Sequence, residues 1–241
     1  MEPAAALGII ARDGHRLIEV SAANLHAPVP SCPGWTVGQL LGHTSRIHRR
    51  VSEHVVRRAT ERLPDDIIPA VPAGDAVLGY AEAALARLLD ALRDLDPTEP
   101  MWTWSHQRDG AFFVRRMLHE TALHRWDAEA ATGYAEPIPG DQGADGIDEL
   151  YDIVLPFSLT HRPRDLPVGS LHLHRTDGDG EWMLTTTDDS ISLARTHAKG
   201  DAAVRGGGGD LFLVVWGRRP IDGLELFGDP EVAQAWVGLA P

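Results

Sequence analysis

Residues 115–129 read RRMLHETALHRWDAE, with Glu120 and His124 four apart and Asp127 three further on. An α-helix turns about 100° per residue, so positions i, i+4 and i+7 share one face. These three side chains therefore form one polar stripe. Phe113, Met117 and Ala131 fall within or beside it, and Leu123 flanks it. The stripe is expected to point into the protein, with Leu118, Ala122 and Arg125 on the far side. A carboxylate and an imidazole on a buried face are costly unless charge or hydrogen bonding satisfies them. A divalent metal would do so, because both are metal-ligand types. A small hydrogen-bond network or a solvated face would account for the same pair. His119 lies about 100° from Glu120, so it is expected to be partly exposed and outside any centre Glu120 joins. The spacing is not that of HExxH, since His119-Glu120-x-x-x-His124 is one residue too long.

The elements that must hold this stripe are legible as helices. Residues 2–25 have helical apolar spacing through Leu7, Ile10, Leu17, Val20 and Leu25. A proline-bounded loop spans 28–34. Thr36 then reads as an N-cap with Gln39 at the capping-box position, and Trp35 and Leu40 are placed for a hydrophobic staple. The stripe of this second helix runs Val37, Leu40, Leu41, Thr44, Ile47, Val51 and Val55, with His43 at its edge and His48 and His54 nearer its flanks. His43 is either a satisfied structural residue or faces Glu120 and His124 to complete a site. A proline-containing loop at 60–72 leads to a third helix at about 74–95. The loop 97–110 carries Trp102, Trp104 and His106, which could wall a pocket or plug the end of a bundle. The fourth helix, about 111–132, carries the opening stripe and stops at Gly133. Four helices joined by loops imply a bundle, and bundles build metal sites from inward side chains on facing helices.

Residues 136–145 read as a break, followed by a fifth helix at about 146–160 that ends before Pro163 and Pro167. The texture then changes to strands at about 170–175, 181–187, 190–196, 201–205 and 224–227. Turns are expected at Gly178-Asp179-Gly180 and at Asp188-Asp189. Gly206 to Gly209 read as a flexible loop rather than an anion site, since no phosphate-binding pattern surrounds them. Helices are expected at 210–216 and at 230–237, the latter with Pro230 at its first position. The organisation is thus a helical domain (1–135), a connecting helix and linker (136–165), and a small α+β domain (166–241).

Composition narrows the function classes. The chain has 241 residues, 43% of them hydrophobic, which allows a substantial core. Its net charge of −13 argues against a nucleic-acid surface. Cys32 is the only cysteine, so no internal disulfide forms, as suits a reducing cytoplasm. It precedes a helix N-terminus, which favours a thiolate, but with no evident histidine partner it reads as structural. No signal peptide or membrane-length apolar run is visible. A soluble, cytoplasmic chain, monomer or homodimer, is the expectation.

Two stretches, VPSCPGWTVGQLLGHTSRIHRRV (29–51) and RRMLHETALHRWDAEAATG (115–133), together resemble the mycothiol-dependent maleylpyruvate isomerase family of the DinB-like metalloenzyme superfamily. The tail, DLFLVVWGRRP (210–220) and ELFGDPEVAQAW (225–236), looks like that family's C-terminal α+β domain. The resemblance implies an N-terminal DinB-like four-helix bundle that holds a divalent metal, usually zinc, through His43, Glu120 and His124. It implies mycothiol as a low-molecular-weight thiol co-substrate, and an isomerase or S-transferase acting on a small electrophilic, carboxylate-bearing substrate. It also implies an essential arginine from the C-terminal domain, for which Arg205 is the candidate and Arg195 the other. Asp127 would accept the imidazole N–H of His124 or shuttle a proton, unless it only pairs with arginines. The alternatives are a hydrolase using metal-activated water and a non-catalytic binding or stress-response protein on the same fold.

Overall fold

The computed structural model describes residues 3–187 and 190–240. The chain divides into two compact units, Met1–Glu136 and Pro137–Pro241. The first is helical, with α1 (Pro3–Ala22), α2 (Val37–Val56), α3 (Ala76–Arg93) and α4 (Gly110–Ala130). Helix α1 packs on α3 and α4, and α2 packs on the same two. Leu17, Leu40, Leu41, Leu85, Leu88, Met117, Leu118 and Leu123 fill the space between them and are fully buried. Each such side chain contributes about 1.5–3 kcal/mol.

Local chemistry sets where α2 starts. The Thr36 hydroxyl accepts from the Gln39 amide and the Gln39 side chain accepts from the Thr36 amide, a complete capping box. Helix α4 starts the same way, with Asp109 accepting from the Phe112 amide. The loop before it closes the end of the bundle. Trp102 stacks on His54 with ring centroids 4.9 Å apart, and Trp104 meets Phe112 edge-on at 5.0 Å. His54 is wholly structural here: Nδ1 lies 2.9 Å from the Arg50 carbonyl, and Nε2 accepts from the Leu63 amide.

Helix α4 departs from the expected pattern. Leu118, Ala122 and Arg125, assigned to an outer face, are all buried, and His119 is fully buried rather than partly exposed. The helix packs against both α1 and α2, so it has little solvent face to offer. Its charges are satisfied internally. Arg125 donates to Glu129 and to the Glu136 carbonyl, both at 2.7 Å.

The second unit begins with α5 (Gly140–Glu149), a π-helical turn (Leu150–Val154) and α6 (Leu155–His161). Helix α5 therefore starts within the stretch read as a break. Gly140 and Gly143, which lie in that stretch, disfavour a helix by propensity, but packing overrides propensity here. A Cβ on Gly143 would overlap the Gly208 carbonyl, and one on Gly208 would overlap the Gly140 carbonyl. Backbones of α5 and α7 (Gly208–Val215) touch directly. The glycine run 206–209 is accordingly not a flexible loop. It is the end of a strand, the N-cap Gly207, and the first turn of α7.

Five strands form one sheet in the order β3-β2-β1-β4-β5: β1 (Leu171–Arg175), β2 (Glu181–Thr187), β3 (Ser190–Ala194), β4 (Ala202–Gly206) and β5 (Glu225–Gly228). Strands β1 and β4 are parallel, and the other neighbours are antiparallel. Leu171, Leu173, Trp182, Leu184, Ala202 and Val204 are buried. They alternate along their strands and so share one face, and α7 and α8 (Pro230–Val237) pack on β1 and β4. The turn expected at Asp188-Asp189 lies outside the described residues. Among the described residues no helix is long and apolar enough to cross a membrane.

Candidate metal centre

Within the first unit, three of the residues singled out from the sequence come together. His43 Nε2 lies 3.6 Å from Glu120 Oε1, and His124 Nε2 lies 3.2 Å from the same oxygen. The rings of His43 and His124 meet edge-on, with centroids 5.3 Å apart. One ligand atom from each of the three lies within 4.8 Å of the others. Helix α2 supplies His43 and α4 supplies the pair one turn apart, so packing of these two helices assembles the group.

Asp127 and Arg116 hold the pair in place. Asp127 is fully buried, and its Oδ2 lies 3.0 Å from His124 Nδ1. Its other oxygen accepts from the Ser31 hydroxyl, and Cys32 Sγ lies 3.9 Å from Oδ2. These contacts tie Asp127 to the His124 ring and to the loop before α2. Arg116, also buried, donates to Glu120 Oε2 at 3.2 Å. Trp35 meets His43 edge-on at 5.0 Å. Sequence reading had missed Arg116 and Ser31. Arg116 stands one helical turn before Glu120, a spacing that favours acid–base pairs. Ser31 sits in an irregular loop, where no periodicity points to a partner.

Electrostatics match the geometry. Burial disfavours an ionised Glu120, but His124, with His43 and Arg116, outweighs it and holds the carboxyl well below its usual range. Burial would likewise lower the His124 imidazole; Glu120 and Asp127 overcome that and raise it to about 9. His124 therefore carries a proton at neutral pH wherever no other cation takes its place. Two imidazoles and a carboxylate are a zinc-type donor set, and three protein ligands leave a position open. The Asp127–His124 contact is the carboxylate–imidazole pairing found behind metal-bound histidines. The residues present thus fit a divalent ion. A cleft of about 430 Å³ opens beside His43, walled by Leu25, Gly42, Val71 and Val77 among others.

The two candidate arginines lie in the second unit. Arg205 is on β4, 41% exposed, and pairs with Glu225 across the strands at 3.0 Å. Arg195 follows β3 and is held by Asp148 at 2.8 Å and Asp152 at 2.6 Å.

Comparison with known proteins bears on the family and the fold. The family described as mycothiol maleylpyruvate isomerase N-terminal domain matches residues 8–129, just over half of the chain. The family described as MDMPI C-terminal domain matches residues 141–235. No curated protein matches the sequence. Among solved structures, a crystal structure of a histidine-to-alanine mutant of the mycothiol-dependent maleylpyruvate isomerase superposes with a TM-score of 0.66 at 14% identity. A second crystal structure of the mycothiol-dependent maleylpyruvate isomerase gives 0.63, also at 14% identity. Both matches cover 94% of this chain and 93% of the other. At that identity they establish a shared fold. With a helical N-terminal unit, a five-stranded C-terminal unit and both domain families matched in order, the chain belongs to the mycothiol maleylpyruvate isomerase family of enzymes.

Proposed function

We propose that this chain is a divalent-metal-dependent, mycothiol-dependent isomerase or S-transferase acting on a small electrophilic substrate that bears a carboxylate. The observation that carries this reading is the convergence of His43, Glu120 and His124, drawn from two helices, within 4.8 Å. These three residues would hold the ion, which by donor type is zinc. When bound it supplies one thing, a thiol kept as thiolate at neutral pH.

The remaining work falls to the chain's own side chains. Asp127 accepts a hydrogen bond from His124 Nδ1–H, which leaves Nε2, 3.2 Å from Glu120 Oε1, as the nitrogen that would ligate the ion once its proton is displaced. Arg116 occupies the second oxygen of Glu120 and fixes the carboxylate's orientation. Burial of Glu120 and His124 excludes water from that side, while the half-exposed His43 faces the cleft. A thiolate that adds to one carbon of a cis double bond displaces the π pair onto the conjugated carbonyl oxygen as an enolate, and the single bond left behind rotates. Expulsion of the thiolate then restores the double bond as trans. In a transferase the adduct itself is released. Arg205 is the residue we assign to the substrate carboxylate, through bidentate pairing. Arg195 is already committed to two aspartates.

Elemental analysis of the purified chain tests the centre. His43→Ala and Glu120→Ala are each expected to lose metal relative to the parent, and full retention in both would overturn the assignment. Turnover with and without mycothiol tests the chemistry. Equal turnover in thiol-free buffer would replace this reading with hydrolysis by a metal-activated water.

A further inference from the structure

A second group of metal-ligand side chains lies in the C-terminal unit, built from residues that the proposed reaction does not use. The motif Leu171-His172-Leu173-His174-Arg175 puts two histidines at positions i and i+2 of β1. Successive strand residues alternate faces, so both imidazoles project from the same side of the sheet. Leu171 and Leu173 project from the other side, into the core with Trp182 and Val204. Glu181 opens β2 as the register partner of His174, and so joins the histidine face. His197 arrives from the segment between β3 and β4.

These four side chains form a tight knot. The ligand atoms of His172, His174, Glu181 and His197 all lie within 4.8 Å of one another. Glu181 Oε2 bonds His172 Nε2, while Oε1 lies 2.7 Å from His174 Nδ1 and 3.1 Å from His197 Nδ1. Ring centroids of the three imidazoles are separated by 5.2 to 6.0 Å. Protons alone satisfy this knot poorly. His174 Nδ1 is buried and, despite its short approach to Glu181, stands in no hydrogen-bonding geometry with any group. Such a nitrogen is costly without a partner, and a cation lying between the donors would supply one. Glu181 is suited to the task. Burial disfavours its charge, but hydrogen bonds from His197 and His172 and the nearby His174 hold its carboxyl below the usual range.

We propose that His172, His174, Glu181 and His197 form a second divalent-cation site, separate from the one on α2 and α4. Three imidazoles with one carboxylate favour zinc, cobalt or nickel over magnesium or calcium, which prefer all-oxygen shells. Four protein donors complete a tetrahedron, the pattern of a structural rather than catalytic zinc. The ion's role is to fasten the 195–200 segment onto the open face of the sheet. That segment also lines a cleft of about 550 Å³ together with Ala203, Arg205 and Phe227. The site therefore sets the wall against which Arg205 stands.

The test is zinc titration of the full chain after chelator treatment, in a His43→Ala background so that the first centre does not contribute. His43→Ala alone is expected to bind about one equivalent of zinc and to ignore magnesium. Adding His174→Ala and His197→Ala is expected to abolish that equivalent. His197 is 77% exposed, so His197→Ala alone folds normally and reports weakened binding without a folding penalty. Cobalt in the same background is expected to give the visible spectrum of a four-coordinate ion, lost in the triple variant. If the His43→Ala chain binds no zinc, or binds the same amount with His174 and His197 removed, the proposal is overturned. Failure of the α2–α4 centre would instead show as unchanged metal content between the parent and His43→Ala.

Discussion

Asp127→Asn is the sharpest probe of how the α4 pair is set. The carboxylate is fully buried and accepts from the His124 ring and the Cys32 thiol at Oδ2 and from the Ser31 hydroxyl at Oδ1. Asn is nearly isosteric but replaces one acceptor with an NH₂ group. If that group faces His124, Nδ1 must give up its proton to accept from it, which keeps an N–H on Nε2 where the ion would bind. If it faces Ser31, the hydroxyl reverses, and the ring keeps its tautomer but loses the adjacent charge. Either way a cation between His43, Glu120 and His124 is held less tightly. Loss of a carboxylate behind a metal-bound histidine costs about 10- to 100-fold in affinity, or about 1.4–2.7 kcal/mol. The assay is zinc competition against a chromophoric chelator at neutral pH, in a His174→Ala, His197→Ala background so that only the α2–α4 centre binds. Glu129→Gln is the control, an equally buried carboxylate on the same helix that pairs with Arg16 and Arg125. It is expected to cost about 3–5 kcal/mol of stability, as for one partner removed from a buried ion pair, with zinc affinity unchanged. An Asp127→Asn chain that is folded and binds zinc as tightly as the parent would refute the reasoning.

Three further outcomes follow from the same geometry. Because the His124 imidazole is raised to about 9 in the ion-free chain, zinc entry at pH 7 into a His174→Ala, His197→Ala chain, where only the α2–α4 centre remains, is expected to release about one proton. Calorimetry in buffers of different ionisation enthalpy counts it, and none released would contradict the charge assignment. His48 is buried against Thr121, and burial pushes its imidazole down to about 4. The fold therefore favours the neutral ring. Its stabilisation is complete above the unfolded value of 6.5 and is lost as pH falls from there toward 4, by about 3 kcal/mol. Denaturant unfolding of the metal-free chain at pH 7 and pH 4.5 is expected to show a smaller pH loss in His48→Asn than in the parent; equal losses would remove His48 as the cause. Finally, Gly209→Ala would drive a Cβ into the Ile138 carbonyl. Overpacking of this kind costs about 1–3 kcal/mol, read as a lowered thermal midpoint, whereas Gly8→Ala, in open space on α1, is expected to cause no loss.

Features that depend on neighbours in the chain could be read from the amino acids alone. Thr36 and Gln39 placed the start of α2 because a capping box involves residues three apart. The bounds of β2 and α8 followed from alternation and from Pro230 at a helix start. Helical periodicity put Glu120, His124 and Asp127 on one side of α4, and the family resemblance named His43 as their partner. Features that depend on what packs from outside could not be read. Helix α4 is covered from more than one direction, so His119, Leu118 and Arg125 are buried although only one stripe was marked as inward. Gly143 of α5 and Gly208 of α7 look like loop punctuation until the two backbones meet, where a Cβ on either would collide. The approach of Ser31 to Asp127, and of His197 to the β1 histidines, joins residues far apart in the chain. Short-range hydrogen bonding leaves its mark in local sequence; burial and convergence are properties of surfaces that meet only once the chain has folded.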